Sequence, residues 1–496
     1  MLDNLALGFA TATTVSNLLY CFLGTFLGTF IGVLPGLGPL AAVAMLLPVS
    51  FYLPPETALV MLAGVYYGAE YGGSIASILL NIPGTPSSSI TCLDGYPMAR
   101  EGRAGVALLV TALASFFGGV FGILVIAALA PLLADFALLL EPADYFAVML
   151  LGLVAASVVS SSGTLRGVMM VTLGVLLGTI GVDVNSGATR FTGGVQDLRD
   201  GINLVVVAMG LFGVSEAMFS ARGASASYAT EKVSWQRFLP MRGEWLRCLG
   251  PALRGSLIGS FFGTLPGTGQ TVASSIGYAV EKRVSPNRAN FGKGAIEGVV
   301  VPESANNAAA QTAFIPTLTL GIPGSTTMAL MIGALMIHGV TPGPRLISDH
   351  PALFWGLIVS FLFGNLFLLV LNIPLIGIWV RLLRIPHYFL YPTIVVLISI
   401  GVYSLDHSLF DVWAMLGFGL LGYGLRLYRY EPAPLLIGFI LGPMMEEYLR
   451  RAMLLSRGDP MIFLQRPGSA VMIAISVLLL VLTALPGLKR LVKSIG

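Results

Sequence analysis

Residues 28–42 read GTFIGVLPGLGPLAA and residues 259–273 read GSFFGTLPGTGQTVA. The two align without a gap at Gly28/Gly259, Phe30/Phe261, Gly32/Gly263, Leu34/Leu265, Pro35/Pro266, Gly36/Gly267 and Gly38/Gly269. A second pair follows in the same order. LLNIPGTPSSS at 79–89 and LTLGIPGSTTM at 318–328 share Leu80/Leu320, Ile82/Ile322, Pro83/Pro323 and Gly84/Gly324. One such match arises easily in a Gly-rich chain, whereas two in the same order argue for duplication. Proline lacks an N–H and blocks the preceding helical turn, while glycine permits a tight one. Each of these stretches therefore breaks a helix in the middle of an apolar run.

The surroundings of those breaks are lipid-like. The chain has 496 residues, 56% hydrophobic and 10% charged, with a mean hydropathy of +0.86. A soluble domain carries roughly 25% charged residues. The net charge of +3 gives no footing for nucleic acid, and Cys21, Cys92 and Cys248 show neither disulfide nor zinc spacing. A helix crosses the hydrocarbon layer with about 20 apolar residues. Such runs recur near 18–34, 57–80, 105–134, 144–160, 167–182 and 201–219, and again near 249–265, 295–320, 352–380, 389–404, 408–425, 433–448 and 469–488. They predict an all-α polytopic membrane protein of about 11–12 transmembrane helices plus two re-entrant helical hairpins. The polar stretch 220–248 reads as a cytoplasmic linker between a first membrane repeat, 1–219, and a second, 249–450. Residues 451–496 read as a loop and an appended helix, and the N-terminus shows no removable signal peptide.

Charge assigns the sides, because Lys and Arg flanks stay in the cytoplasm. With 220–248 inside, alternating crossings put Arg100, Arg103, Arg166, Arg381, Arg384, Arg426, Arg429, Lys489, Arg490 and Lys493 inside as well. The loop with Asp135, Glu141 and Asp144 falls outside. Arg450, Arg451, Arg457 and Arg466 also fall outside and run against the rule, partly offset by Glu446, Glu447 and Asp459. Arg247, Arg254, Lys282, Arg283, Arg288 and Lys293 flank the second P-G-x-G tip, so that hairpin enters from the cytoplasm. The flanks of the first, 1–17 and 52–56, hold no Lys or Arg, so it opens outward. The halves are thus expected to be inverted repeats, a plan in which transporters bind substrate at the repeat interface.

Broken helices at membrane depth persist only where protein or a watery cavity satisfies the freed backbone. The resuming helix offers free N–H groups and a partial positive charge, which suits an anion. The tips at 34–38, 81–87, 265–270 and 321–327 accordingly supply the candidate substrate contacts: Pro35, Gly36, Gly38, Asn81, Gly84, Thr85, Ser87, Gly267, Thr268, Gly269, Gln270, Gly324, Ser325 and Thr326. The plainer reading makes them kinks in ordinary packed helices. No Lys or Arg lies in these tips, so helix N-termini and co-bound Na⁺ or H⁺ must supply the positive potential. Two intramembrane carboxylates, Glu70 in VYYGAEYGGS and Glu303 in PESANNAAAQT, are costly at that depth and mark an ion or proton path. With Asn306 and Asn307 they form the candidate cation-coupling set. Asp94 and His338 read as helix ends. Gly24, Gly28 and Gly32 read as a helix contact face. There is no GxxxxGK[ST], HExxH or GxSxG, and the four His are scattered, so no enzyme, cofactor or transition-metal site is expected.

The ordered set GVLPGLGP, NIPGTPSS, LDGYPMAREG, GTLPGTGQT, PESANNA, GIPGSTTMA and HGVTPGP resembles the large membrane subunit of the tripartite tricarboxylate transporters, the TctA family, from about residue 15 to 450. The resemblance implies a bacterial inner-membrane permease working in the lipid bilayer with a small membrane subunit and a periplasmic solute-binding protein. It also implies uptake of organic acids, tri- or dicarboxylates such as citrate, driven by an ion gradient. A passive anion channel built on inverted hairpins is the alternative.

Overall fold

The computed structural model describes residues 2–34, 36–183, 186–222, 239–265, 269–382 and 387–484. The first half holds α1 (Leu2–Ala12), α2 (Val15–Val33), α3 (Gly38–Ser50), α4 (Pro55–Leu80), α5 (Cys92–Met98), α6 (Ala104–Ala137), α7 (Pro142–Val159), α8 (Thr164–Gly178), α9 (Leu204–Ala208) and α10 (Ser215–Arg222). The second continues with α11 (Arg242–Gly263), α12 (Gly269–Val284), α13 (Glu297–Thr312), α14 (Phe314–Thr319), α15 (Thr326–Ile337), α16 (Leu346–Asp349) and α17 (Pro351–Asn372). It ends with α18 (Ile376–Leu382), α19 (His387–Asp406), α20 (Leu409–Leu427), α21 (Ala433–Leu455), α22 (Ile462–Gln465) and α23 (Pro467–Ala484). The strands among the described residues are a short antiparallel pair, Gly181–Val182 with Thr189–Arg190. Five stretches, Val15–Val33, Cys92–Ala137, Pro142–Val159, Leu204–Ala221 and Pro351–Asn372, are long and apolar enough to cross a bilayer. The chain is an all-α polytopic membrane protein, as its composition requires. Both ends of the polar stretch 220–248 are helical, in α10 and α11, and residues 223–238 lie outside the described residues. Helix α1, outside the apolar runs of the sequence, lies along α17, with Gly8 pressed on the Trp355 carbonyl.

Glycine stripes set the packing in both halves. A Cβ added at Gly24, Gly28 or Gly32 of α2 would stand 2.2, 2.2 or 2.3 Å from the carbonyl oxygens of Met61, Val65 and Ala69 on α4. The matching glycines of α11, Gly255, Gly259 and Gly263, would stand 2.6, 2.2 and 2.6 Å from the carbonyls of Val301, Ala305 and Ala309 on α13. Residue numbers rise together in both contacts, so each pair of helices is parallel. The register also agrees with the duplicated motifs, since Val65 and Ala305 each stand 17 residues before Ile82 and Ile322. Close backbone approach through small residues is how membrane helices associate, apolar burial offering little there. Gly28→Leu and Gly259→Leu are therefore expected to abolish the folded, detergent-extractable protein in fluorescence size-exclusion traces. Gly377→Leu, where an added Cβ meets nothing within 4 Å, should leave the trace unchanged.

Between the parallel helices the chain must return. The Thr57 hydroxyl donates to Asn17 Oδ1 at 2.6 Å, placing the start of α4 beside the start of α2, so α2 and α3 form a hairpin with its tip at the far end. In the other half Arg254 of α11 grips Glu281 of α12 with two hydrogen bonds of 2.7 Å, closing the legs of a second hairpin. Each return helix begins on a glycine in the left-handed region, Gly38 at φ 51° and Gly269 at φ 61°. Those two positions align in the similar stretches 28–42 and 259–273, and a side chain there would strain the turn. Pro35 and Pro266 themselves, with Gly267 and Thr268, lie outside the described residues.

Helices α4 and α13 cross antiparallel. Ser74 meets Glu303, Glu70 meets Asn306, and Tyr67 meets Phe314. Since α2 follows α4 and α11 follows α13, the two hairpins point at each other from opposite ends of the bundle. Helix α6 joins this centre through Gly118, which packs on the Ser304 backbone, and α17 joins through Asn365, which accepts from Tyr71 at 3.2 Å.

Three of the four arginines that defied the charge rule, Arg450, Arg451 and Arg466, are paired. Arg450 bonds Asp183 at 2.8 Å and Glu446 at 2.6 Å, Arg190 bonds Glu446 at 3.0 Å, and Arg451 pairs with Glu447. Arg466 reaches back to Glu141 and to Asp144, which also accepts from the Ser469 N–H at 2.8 Å, fastening α23 to α7.

Candidate functional site

A cavity of about 860 Å³ opens where the tips converge. Gly36 to Ala41 line it from the first hairpin, Pro86 and Ser87 from the second tip, Gly269 to Val272 from the third and Ser325 to Thr327 from the fourth. The N-termini of α3, α12 and α15 therefore all face one space. The first-turn N–H groups of a helix have no partner within it, and together they make a positive rim. Ser325 caps α15 by accepting from the Met328 N–H at 3.3 Å. Glu70 lines the same cavity from mid-helix α4.

Of the other predicted residues, Asn81, Gly84, Thr85 and Gly324 do not line the cavity. Asn81, at φ 57°, is the left-handed cap that ends α4 and is exposed. Gly84 lets the second tip lie on the helices beneath it, since a Cβ there would come within 2.4 Å of Gly73 Cα and 2.9 Å of the Gly32 carbonyl. The Thr85 hydroxyl sits 2.9 Å from that of Ser87, and the Thr85 N–H donates to Ser88 Oγ at 3.0 Å. Gly324 is buried against Ala313. Gln270 donates to the Tyr66 hydroxyl.

The two intramembrane carboxylates occupy adjacent turns of the α4–α13 crossing and are buried, with 2% and 1% of Glu70 and Glu303 exposed. Glu70 Oε2 accepts from Ser87 Oγ at 3.0 Å and Asn306 Nδ2 at 3.1 Å. Glu303 accepts from Ser74 Oγ at 2.8 and 2.9 Å, from Ser115 Oγ at 3.1 Å and from Thr91. The SANN run divides its loyalties: Asn306 serves Glu70, while Asn307 bonds back to the Glu303 carbonyl of its own helix at 3.0 Å. Buried Asn306 Oδ1 has no partner among the described residues. Such an oxygen carries a desolvation cost until a donor or a cation meets it.

Sequence reasoning missed the basic wall. Arg166, Arg426 and Arg429 line the cavity with Glu216 and Glu431, so guanidinium groups do stand near the tips, contributed by α8, α20 and the turn after α20. Their spacing in the chain gave no hint of this convergence. The sequence signal was confined to their common assignment to one side of the membrane.

Residues 18–437 match the family described as "Tripartite tricarboxylate transporter TctA family". The chain belongs to that family. It is a transporter family rather than an enzyme family, and membership implies a tripartite system with other subunits in a lipid bilayer. The chain is also 49% identical over 489 residues, 99% of this chain and 97% of the relative, to a protein of Agrobacterium vitis described as "Uncharacterized 52.8 kDa protein in TAR-I ttuC' 3'region". A second Agrobacterium vitis protein, "Uncharacterized protein in TAR-II ttuC' 3'region", is 54% identical over 231 residues, 47% of this chain and 96% of the relative. No solved structure matches significantly.

Proposed function

We propose that this TctA-family chain is the permease of an ion-gradient-driven importer of organic anions, tri- or dicarboxylates, in the bacterial inner membrane. A periplasmic solute-binding protein delivers the solute, and a small membrane subunit completes the system. The observation that carries this reading is the single cavity rimmed by the N-termini of α3, α12 and α15 with Glu70 in its wall. The two halves act as inverted repeats whose re-entrant hairpins meet at mid-membrane, an arrangement supported by the antiparallel crossing of α4 and α13. Glu70, Glu303 and Asn306 hold the coupling cation, Na⁺ or H⁺, beside the solute. The unpartnered Asn306 oxygen favours a cation there.

The test is uptake of labelled citrate and succinate by vesicles carrying the complete system. Accumulation above the external concentration under an imposed Na⁺ or H⁺ gradient, abolished by an ionophore, is expected. Equilibration without accumulation would instead make the protein a passive channel. The sidedness is checked separately. In a cysteine-free background of intact cells, an impermeant thiol reagent should label Arg457→Cys and spare Arg288→Cys, both positions being exposed.

A further inference from the structure

A guanidinium in the path of an anion needs a counter-charge whenever the anion is absent, or it stands desolvated and unpaired. The cavity wall supplies such counter-charges from the chain itself. Arg426, in the last turn of α20, pairs with Glu216 of α10, and Ser220 Oγ donates to the same carboxylate at 3.1 Å. The π-helical stretch Met209–Val214 runs into α10, and Phe212, Glu216 and Phe219, four and three residues apart on one helical face, line the cavity together. Glu216 also abuts the first tip, where a Cβ on Gly36 would stand 3.5 Å from Glu216 Oε1. On the adjoining wall Glu431 Oε2 accepts from Ser160 Oγ at 3.0 Å, Ser161 Oγ at 2.8 Å and the Ser161 N–H at 2.7 Å. Donor sets suited to a carboxylate thus stand in the cavity wall, each already holding a carboxylate of the protein.

We infer that Arg426 belongs to a second organic-anion site on this wall, for which Glu216 is a tethered competitor. An incoming solute carboxylate takes Arg426 from Glu216, and Glu216 retains the Ser220 hydroxyl beside it. The displaced negative charge then shares the cavity with the anion and speeds its departure, and the pair re-forms behind it. Glu431 on Ser160 and Ser161 fills the neighbouring donor set in the same way. The inference rests on the organic-anion reading above and adds a release-side site to it.

The experiment is retention of radiolabelled citrate and succinate by the full chain in lipid nanodiscs, with dissociation rates. Glu216→Gln keeps the shape and removes the competing charge, so it should bind about tenfold tighter and release more slowly. Ser220→Ala, which only loosens Glu216, should move retention in the same direction by less. Arg426→Gln should weaken it at least about tenfold. The reversed pair, Glu216→Arg with Arg426→Glu, restores an ion pair but should not restore retention. Glu216→Gln and Ser220→Ala no tighter than the unaltered chain, or recovery in the reversed pair, would reduce Glu216–Arg426 to a structural bridge and overturn the inference. If the unaltered chain itself holds neither anion, the organic-anion reading fails, and the inference fails with it.

Discussion

Uptake by Glu303→Gln is expected to lose its dependence on the cation gradient while the protein remains inserted and folded. Glu303 is buried at the α4–α13 crossing, and its donors are the hydroxyls of Ser74, Thr91 and Ser115, drawn from three parts of the chain. A buried carboxylate held by hydroxyls keeps its negative charge unpaired by any cationic side chain, and since hydroxyls rotate, its oxygens can be freed for a cation or a proton. The amide of Gln fills nearly the same volume but carries no charge and does not bind a proton in this range. Hydrogen bonds to a charged group are worth about 1.5–3 kcal/mol each, so losing the charge at this site alters cation affinity by about one to two orders of magnitude. Uptake against Na⁺ and H⁺ gradients in vesicles reads the effect directly. Unchanged coupling in Glu303→Gln would remove Glu303 from the cation site and leave Glu70, whose own Gln variant is then the one expected to uncouple.

Asp94→Ala should be strongly destabilising. Asp94 Oδ1 accepts from the successive N–H groups of Gly292, Lys293, Gly294 and Ala295 at 2.8 to 3.1 Å, and Oδ2 accepts from the Tyr278 hydroxyl at 2.8 Å. The residue is fully buried, and Gly298 has no side chain because its Cβ would stand 2.1 Å from Asp94 Oδ2. Removing the carboxylate takes the partner from the buried Ala295 N–H and Tyr278 hydroxyl and from three more exposed N–H groups, and with hydrogen bonds to a charged group worth about 1.5–3 kcal/mol each a loss of about 3–5 kcal/mol is expected. Tyr278→Phe deletes one donor from the same nest and should cost about 1 kcal/mol. Thermal unfolding in detergent distinguishes them: a large drop for Asp94→Ala beside a small one for Tyr278→Phe is expected. Equal shifts would mean that the backbone nest contributes little. The lock also bears on the surroundings of Glu303, because Asp94 lies on α5, one turn beyond Thr91, which donates to Glu303.

What the sequence disclosed, and what it withheld, follows from how local each signal is. The Pro-Gly tips and the glycine stripe of α2 were legible because they are steric properties of single residues. A glycine every fourth position presents a bare face whatever lies opposite. Glu70 and Glu303 were legible because a carboxylate in an apolar run is expensive anywhere. Their partners were not. The neighbouring SANN residues looked like the shell of Glu303, yet helical geometry turns Asn306 toward Glu70 and lets Asn307 bond back to its own helix. Asp94 looked like the end of a helix, since the N–H groups that hold it are backbone and carry no mark in the sequence. The arginine wall was hidden for a third reason. Arg166 and Arg426 stand far apart in the chain, and only the packing of α8 and α20 around the tips brings them to one cavity.

In the proposed function the solute binds in this cavity. A density map of the complete system in lipid with bound citrate tests this most directly. The expected result is solute density touching the first turns of α3, α12 and α15, within reach of Glu70. Density lodged elsewhere in the fold, with those helix N-termini packed shut or turned toward lipid, would contradict it.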